Sequence, residues 1–281
     1  METIQLRPYH RRIRRIFFYA FVLMVTAIFI FPIYWFMATS FKNPVDILSL
    51  PPVWIFKPIL KNYLELFRVQ HFQYNILNSF IISGCVVGLS LILGVPAAYA
   101  LSRIDLRGAK FIYFWILTSR MIPPMALLVP FFLFFKQVHL LDSHLALIII
   151  YLTFNLALVV WIMRTFFDDV PLSLEEAAVI DGCSTWGCFW KISLPLVSPG
   201  LAATTIFCWI MSWNEFLYAL ILTRRVAQTA PVAVTVFMRF IDIRWGTIAA
   251  GSTFIMLPII IFSIVVNKYL IAGLVRGALK E

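Results

Sequence analysis

Six long apolar runs dominate this 281-residue chain, and they constrain its fold more than any other feature. Each run has about 20 residues or more, which is the length of helix needed to cross a bilayer. In hydrocarbon every backbone polar group must be hydrogen-bonded within the protein, so such runs form spanning helices. The runs are approximately residues 16–38, 76–101, 111–135, 144–167, 200–222 and 247–271. The pattern predicts an all-α membrane protein with six transmembrane helices, in a domain that covers residues 16–272.

Composition supports a membrane protein over a soluble domain. Hydrophobic residues make up 62% of the chain and charged residues 13%, and the mean hydropathy is +0.92. A typical soluble domain has roughly 25% charged residues. The first apolar run is longer than the core of a secretory signal and is not followed by a small-residue cleavage site, so we expect an uncleaved helix.

Basic residues predict which side of the membrane the termini occupy. They crowd the N-terminal tail, residues 1–15, and the short loop after the second run: Arg7, Arg11, Arg12, Arg14, Arg15, Arg103, Arg107 and Lys110. Short loops rich in lysine and arginine stay in the cytoplasm, whereas longer segments constrain topology less. Both termini, including the tail at residues 273–281, are therefore predicted to be cytoplasmic.

The net charge of +10 also fits a nucleic-acid-binding protein. However, the basic residues are scattered at the ends of the apolar runs rather than grouped with stacking aromatics. Contact with lipid headgroups explains them better, and no nucleic-acid partner is predicted. Cys183 and Cys188 lie four residues apart without histidine partners, which is a poor metal signature, so no metal site is predicted.

A polar segment, residues 168–198, separates the fourth and fifth runs, and we call it the polar hairpin. Pro171 ends the preceding helix, and Ser173 with Glu176 has the spacing of a capping box, so a short helix is predicted to start there. Gly182 supplies the permissive backbone expected just past the end of this helix.

The second half of the polar hairpin contains another start signal. Ser184 is predicted to cap a second helical turn, which ends at Pro195, and Pro199 then leads into the fifth run. The segment is therefore predicted to form a short helix–turn–helix.

The surface of the polar hairpin suits another protein. Ala177 and Ala178 allow another backbone to approach closely, while Glu175, Glu176 and Asp181 offer carboxylates to partner arginines. Each such bond contributes about 1.5–3 kcal/mol when it is partly desolvated. An amphipathic hairpin resting on headgroups would have the same composition, so physical chemistry leaves both interpretations open.

The spacing within the polar hairpin resembles a family signature. Glu176-Ala-Ala is followed after three residues by Gly182 and after nine more by Ile192-Ser-Leu-Pro195. This pattern resembles the signature of permease subunits in binding-protein-dependent ABC importers. Four further segments look like the carbohydrate-importer group of the MalG type: residues 62–67, 78–79, 213–216 and 273–280.

The resemblance implies a multi-pass permease of the cytoplasmic (inner) membrane of a bacterium or archaeon, which imports a sugar or sugar derivative. It implies that the polar hairpin is a coupling helix seated in an ATPase subunit, and it carries that role to Glu175, Glu176, Ala177, Ala178, Asp181 and Gly182. The implied partners are a second homologous permease subunit, a dimer of ATPase subunits and an extracytoplasmic solute-binding protein.

The chain has no G-x-x-x-x-G-K-[ST] phosphate loop. We therefore expect no catalytic residue and no cofactor in this chain, with ATP and Mg bound by the partner ATPase subunits. The chain is predicted to be a permease rather than an enzyme. The C-terminal tail is expected to contact the ATPase, while its insertion between ATPase subunits stays open.

Ionisable residues inside the apolar runs mark a candidate translocation path. Such residues cost about 2.5–3.5 kcal/mol and usually face a cavity or the protein interior. Arg120 is predicted near mid-bilayer and Glu215 near the outer end of the fifth run. They could line the path, or they could pair with each other or with a partner subunit. Pro123 and Pro124 are predicted to kink the third span.

Three further residues could contact a sugar. Asn155 suits either a sugar contact or a hydrogen bond between helices. Trp213 and Asn214 form with Glu215 a cluster of the groups that bind sugar hydroxyls and ring faces, although Trp213 also fits a membrane-interface anchor.

Two segments between spans are predicted to lie on the extracytoplasmic side of the membrane. Residues 223–246 could reach the binding protein or contact headgroups, and residues 62–67 are predicted to form a short interfacial helix. An ion-coupled secondary transporter is the alternative function, but Glu215 is the one plausible intramembrane acid and no internal repeat is evident. A non-transporting scaffold is opposed mainly by the signature spacing.

Overall fold

The computed structural model describes residues 8–68, 71–104, 108–238 and 243–278, and helices dominate them. The helices are α1 (Pro8–Ser40), α2 (Pro44–Leu48), α3 (Lys61–Arg68), α4 (Phe72–Arg103), α5 (Ala109–Ser119), α6 (Pro124–Gln137), α7 (His144–Asp168), α8 (Leu172–Ile180), α9 (Thr185–Cys188), α10 (Leu194–Leu196), α11 (Ser198–Trp213), α12 (Leu217–Leu222), α13 (Ala230–Thr235) and α14 (Trp245–Ala278). A π-helical turn, Phe189–Ser193, joins α9 to α10. The prediction of an all-α protein is confirmed.

Four of the described helices are individually long and apolar enough to cross a membrane: Arg14–Ser40, Phe72–Arg103, His144–Asp168 and Trp245–Ile264. Two pairs of helices pass the same test together but are sharply bent at a short break: Phe111–Ser119 with Pro124–Gln137, at 88°, and Thr185–Leu196 with Ser198–Trp213, at 78°. Counting each bent pair as one span gives up to six spans, which is the predicted number, but the second pair covers residues 185–213 rather than the predicted 200–222. The side of the membrane on which the termini lie stays a prediction.

The third predicted span is two helices rather than one kinked helix. α5 and α6 meet at 88° across a break that starts at Arg120. Pro123 precedes another proline, and its backbone is extended (ψ 128°) because a residue before proline disfavours the helical conformation. Pro124 then starts α6, where its missing N–H is not needed.

The fifth predicted span is also interrupted. α11 ends at Trp213 and α12 begins at Leu217. The Glu215 carboxylate accepts hydrogen bonds from the backbone N–H groups of Tyr218 (2.9 Å) and Ala219 (3.2 Å). A side chain that satisfies backbone donors in this way favours a new helix start over continuation of the old helix.

The chain divides into two compact units. The first consists of the described residues within 1–70 and 237–253, and it contains α1, α2, α3 and the start of α14. The Asn62 side chain donates to the carbonyls of Ser40 (2.8 Å) and Lys42 (3.0 Å) and so ties α3 to the end of α1. The predicted short helix at residues 62–67 is confirmed as α3.

The second unit consists of the described residues within 71–236 and from 254 onwards, and α4, α7 and α11 form its centre. α4 and α7 pack closely because Gly94 has no side chain. A β-carbon at Gly94 would lie 2.7 Å from Val159 Cγ1, which real packing does not allow. Phe167 and Phe189 join the same buried cluster, so the polar hairpin packs against the centre of this unit.

The polar hairpin forms the predicted helix–turn–helix, but the predicted cap of its first helix is wrong. The capping box is wrong, because α8 is preceded by Pro171 without a side-chain cap and Ser173 lies inside the first turn. Ser184 caps α9 as predicted, accepting from Gly187 N at 3.2 Å. The helical segment ends at Leu196, one residue beyond Pro195.

Candidate coupling hairpin and translocation cavity

Glu175 in α8 is turned into the protein and is only 7% exposed. Its Oε1 accepts from Arg103 Nε at 2.8 Å and from Ser193 Oγ at 2.6 Å, and its Oε2 accepts from the Tyr99 hydroxyl at 2.8 Å. Arg103 Nη2 also donates to the carbonyl of Val170 at 2.8 Å. These five residues, which we call the hairpin anchor, join the end of α4 to the beginning, the middle and the later turn of the polar hairpin.

The hairpin anchor sets the charge state of Glu175. Burial acts to raise the pKa of this carboxyl group. The hydrogen bonds from Ser193, Arg103 and Tyr99 and the charge of Arg103 outweigh burial, so the pKa of Glu175 lies below its usual value. The ion pair is therefore complete at neutral pH.

The other predicted coupling residues lie on the outside of the polar hairpin. Glu176, Ala177, Asp181 and Gly182 are exposed and Ala178 is half-buried. The interpretation of Glu175 as a third carboxylate open to a partner is wrong, because both of its oxygens are already bonded within the chain.

Large apolar side chains share the exposed surface of the polar hairpin. Ile180 is 85% exposed, and four others are more than half exposed: Leu172, Val179, Trp186 and Trp190. An exposed apolar patch that is rimmed by carboxylates is typical of a surface that another protein or a membrane covers.

Gly182 ends α8 in the left-handed conformation, with φ +85°. Its N–H donates to the Val179 carbonyl at 3.0 Å, and the Cys183 N–H donates to the Ala178 carbonyl at 2.9 Å. This pair of bonds is the Schellman motif that glycine favours at a helix end. The prediction of a permissive backbone at Gly182 is confirmed.

Arg120 and Glu215 lie at the two breaks in the helices and line one cavity of about 410 Å³. Thr153, Phe154 and Tyr218 contribute to its wall. Within the described part of the chain no ion pair joins Arg120 to Glu215. The Glu215 oxygens instead bond to the first turn of α12.

The other candidate path residues lie outside the lining of this cavity. Asn155 is fully buried and donates to Ser212 Oγ at 3.0 Å, which is a hydrogen bond between α7 and α11. Trp213 is 1% exposed and donates to the Ile255 carbonyl at 3.1 Å, so it lies inside the second unit rather than at its lipid surface. Asn214 is exposed, and its amide donates to the carbonyl of Ile210 one turn earlier.

A second set of contacts, absent from the predicted site, fixes the segment after α12. Both carboxylate oxygens of Asp142 accept from consecutive backbone N–H groups of residues 224–227, at 3.0–3.2 Å. We call this contact the loop latch. Burial acts to raise the pKa of Asp142, but the N–H donors outweigh it and lower the pKa.

Asn78 and Ser79 hold the same segment from α4. Asn78 Nδ2 donates to the carbonyls of Val226 (2.8 Å) and Gln228 (3.1 Å), and Ser79 Oγ accepts from Ala230 N at 2.9 Å. The resemblance of Asn78-Ser79 to the importer family was the sequence signal that could have pointed to these contacts. Its partners are 148–151 residues away, which spacing alone does not disclose.

Comparison with known proteins agrees with this architecture. Residues 90–276 match the family described as binding-protein-dependent transport system inner membrane component. A probable ABC transporter permease protein, y4oR of Sinorhizobium fredii, is 39% identical over 270 residues, covering 96% of this chain and 97% of that protein. The trehalose/maltose transport system permease protein MalG of Thermococcus litoralis is 32% identical over 272 residues, covering 95% and 98%.

A solved structure is similar across the same length. It is a bacterial ABC transporter involved in the import of the acidic polysaccharide alginate, and one of its chains matches with a TM-score of 0.76 and 26% identity, covering 95% of this chain and 99% of that chain.

These matches define an inner-membrane component of an ABC importer. The chain belongs to the family of binding-protein-dependent transport system inner membrane components. It is a permease subunit of such an importer, not an enzyme, and the predictions of family, membrane location and permease function are confirmed.

Proposed function

We propose that this permease imports a saccharide or saccharide derivative together with three kinds of partner. They are a second homologous permease subunit, a dimer of ATPase subunits and an extracytoplasmic solute-binding protein. The solute class is supported by the relatives, of which one is a trehalose/maltose permease and another belongs to an alginate importer. The family description itself supports dependence on a binding protein.

The observation that carries the ATPase part of the proposal is the exposed face of the polar hairpin. Val179, Ile180 and Trp186 present apolar surface, and Glu176 and Asp181 present carboxylates beside it. Insertion of the apolar side chains in a cleft of the ATPase subunit removes them from water, while the carboxylates pair with basic groups on its rim. Ala177, Ala178 and Gly182 keep the backbone of the polar hairpin accessible to that cleft.

The hairpin anchor attaches the polar hairpin rigidly to the end of α4. Arg103 lies at the end of the spanning helix α4, and its guanidinium bonds to Glu175 and to the Val170 carbonyl. Because the ion pair is buried, a displacement of α8 that separated the two charges would leave each of them buried without its counter-charge. A movement of the ATPase surface that displaces α8 therefore moves the end of α4 with it.

In this proposal ATP and Mg bind in the ATPase subunits, and this chain contributes no group to the chemistry. ATP binding closes the ATPase dimer, and the polar hairpins convert that closure into a change from inward-open to outward-open spans. The polar hairpin and both termini then lie on the cytoplasmic side, as the positive-inside bias favours. The C-terminal tail lies beside the same ATPase surface.

The solute path is proposed to include the cavity at Arg120 and Glu215. Irregular backbone at membrane depth is tolerated where it lines a cavity, and broken helices line the solute sites of many transporters. Two helix breaks border this cavity, at the end of α5 and at the start of α12. Asn155, Trp213 and Asn214 support the surrounding helices in this proposal, since they contact α11 and α14 rather than the cavity.

The outer surface is proposed to include residues 223–236, which the loop latch and Asn78 hold in one conformation. A fixed loop offers a preorganised contact for the binding protein, because it loses little conformational freedom on docking.

Uptake measurements with the whole importer test the proposal. Radiolabelled saccharide uptake should require the binding protein and ATP, stop with vanadate and continue with an uncoupler that removes ion gradients. Uptake that stops with the uncoupler and ignores vanadate would support the ion-coupled alternative instead. Co-purification of the ATPase subunit with the wild-type permease, and its loss with Ile180→Asp, would test the docking surface separately.

A further inference from the structure

The cavity is lined by residues of α5, α6, α7, α11 and α12 and of the two helix breaks, and it contains two ionisable side chains whose environments differ. Glu215 is already satisfied, since Oε1 accepts from Tyr218 N and Oε2 accepts from Ala219 N. Arg120 is the opposite case. In the part of the chain that the structure describes, its guanidinium has no hydrogen bond and no ion pair, although its backbone N–H is bonded to the carbonyl of Leu117.

A guanidinium without a partner is costly in a spanning segment. Placing an arginine at the centre of a membrane helix costs about 2.5–3.5 kcal/mol on insertion scales, and such residues usually serve a pathway. The five N–H donors of arginine have the geometry of a planar oxyanion, and they bind carboxylate in a bidentate manner. The half-buried Arg120 therefore offers a receptor for an anionic group that enters the cavity.

The other residues that line the cavity suit the ring faces and hydroxyl groups of a saccharide. Phe131, Phe154 and Tyr218 provide aromatic surface, and Thr153 and Ser119 add hydroxyl oxygens. A mostly apolar wall with a few directed polar groups is typical of small-molecule sites. The cavity, about 410 Å³, has the size of such a site.

We propose that the solute of this importer is an acidic saccharide, and that Arg120 binds its carboxylate or another oxyanion during translocation. The inference rests on the proposed function, because it names the substrate class of the cavity assigned there. A neutral sugar offers the guanidinium only single hydroxyl oxygens, whereas the oxyanion of an acidic sugar offers an opposite charge and two acceptor oxygens in a geometry that matches the guanidinium.

The test uses the complete importer in proteoliposomes with its binding protein, and four matched probes. Dimannuronate and digalacturonate are the acidic probes, and mannobiose and galactobiose are the neutral ones. The expected result is ATP-dependent uptake of an acidic probe. Arg120→Gln should lower that uptake about tenfold or more, because a charge-assisted bond is lost, whereas Arg120→Lys should keep a larger fraction.

Two controls separate recognition from assembly. Lys136→Gln removes one positive charge from the exposed end of α6, outside the cavity, and should leave uptake unchanged. Co-purification with the ATPase subunit should show equal amounts of assembled complex for each variant.

Other outcomes overturn the inference in distinguishable ways. Uptake of the neutral probes alone contradicts the acidic class while leaving the proposed function intact. An equal loss of acidic and neutral uptake in Arg120→Gln would assign Arg120 to pairing with a second subunit, and would also overturn the inference. Uptake of none of the four probes also overturns the inference, and the proposed function then rests on its own uptake test.

Discussion

Arg103 and Glu175 are 72 residues apart in the sequence, yet Nε of the arginine lies 2.8 Å from the glutamate Oε1 in a buried ion pair. The pair joins the last residue of α4 to the first turn of α8. A spanning helix and the polar hairpin are thereby connected through side chains as well as through the intervening chain. This connection gives the polar hairpin a defined orientation before any partner binds.

We expect Arg103→Met to destabilise the permease by about 3–5 kcal/mol, since it leaves the Glu175 carboxylate buried without a counter-charge. The expected consequence is a lower thermal unfolding temperature of the purified permease and less ATPase subunit recovered with it. Arg164→Met is the matched control, because Arg164 pairs with Asp168 at the longer distance of 3.6 Å and with greater exposure.

The double variant Arg103→Met/Glu175→Met separates a lost ion pair from a lost side chain. If the cost arises from the uncompensated carboxylate, the double variant should be more stable than Arg103→Met alone. Equal instability of the two variants would show that packing, and not charge, dominates at this position.

The stability of the permease should depend on pH through Glu175. The pKa of this carboxyl group is lowered in the folded protein from its usual 4.5. Its contribution to stability is therefore fully present above about pH 4.5 and is lost as the pH falls through the folded-state pKa. Thermal unfolding measured at neutral pH and below pH 4.5 should show a smaller decrease in Glu175→Gln than in the wild type. A decrease of the same size in both proteins would remove Glu175 as its source.

Asp142 should control the mobility of residues 224–227. Asp142→Ala removes the acceptor of four consecutive backbone N–H groups, so those amides should exchange with solvent faster. Hydrogen–deuterium exchange of the purified importer measures this change peptide by peptide. Asp169→Asn, at an exposed acid elsewhere, serves as the control and should leave these amides unchanged. Unchanged exchange in Asp142→Ala would mean that Asn78 and Ser79 alone hold the segment.

The spanning helices and the polar hairpin were predictable because their signals are local. Apolar runs mark α4 and α7, and Gly182 with Ser184 marks the turn inside the polar hairpin. The direction of Glu175 was not predictable in the same way. Glu175 and Glu176 are adjacent and differ by roughly 100° around the helix, so the two side chains point in different directions. Which of the two glutamates faces inward depends on Arg103, a residue from a distant segment of the chain.

The breaks in two spans have a similar explanation. The prolines at residues 123–124 indicate a disturbance of the third span, but a sequence pattern does not give its angle, which is 88°. The run from residue 200 to 222 stays apolar on both sides of Glu215, so hydropathy predicts one continuous helix. The capping bonds that Glu215 makes to Tyr218 and Ala219 interrupt the helix instead.

Gly182→Val should insert in the membrane and yet abolish transport. A β-carbon at Gly182 meets no described atom within 4 Å, so the permease itself has room for the side chain. The backbone at φ +85° nevertheless disfavours every residue with a β-carbon, by about 1–2 kcal/mol, and a β-branched residue fits least well. The new side chain also projects from the exposed end of α8, where the ATPase subunit is proposed to dock. Both effects weaken docking while leaving the spans unaltered.

Gly108 offers a matched control for Gly182. It has φ +89°, and a β-carbon there would likewise meet no described atom within 4 Å, but it precedes α5 and lies outside the polar hairpin. Gly108→Val therefore introduces the same backbone strain without altering the docking surface. Saccharide uptake and recovery of the ATPase subunit should both be lost in Gly182→Val and largely retained in Gly108→Val. Normal uptake by Gly182→Val would refute the docking site, and equal loss in both variants would assign the effect to backbone strain alone.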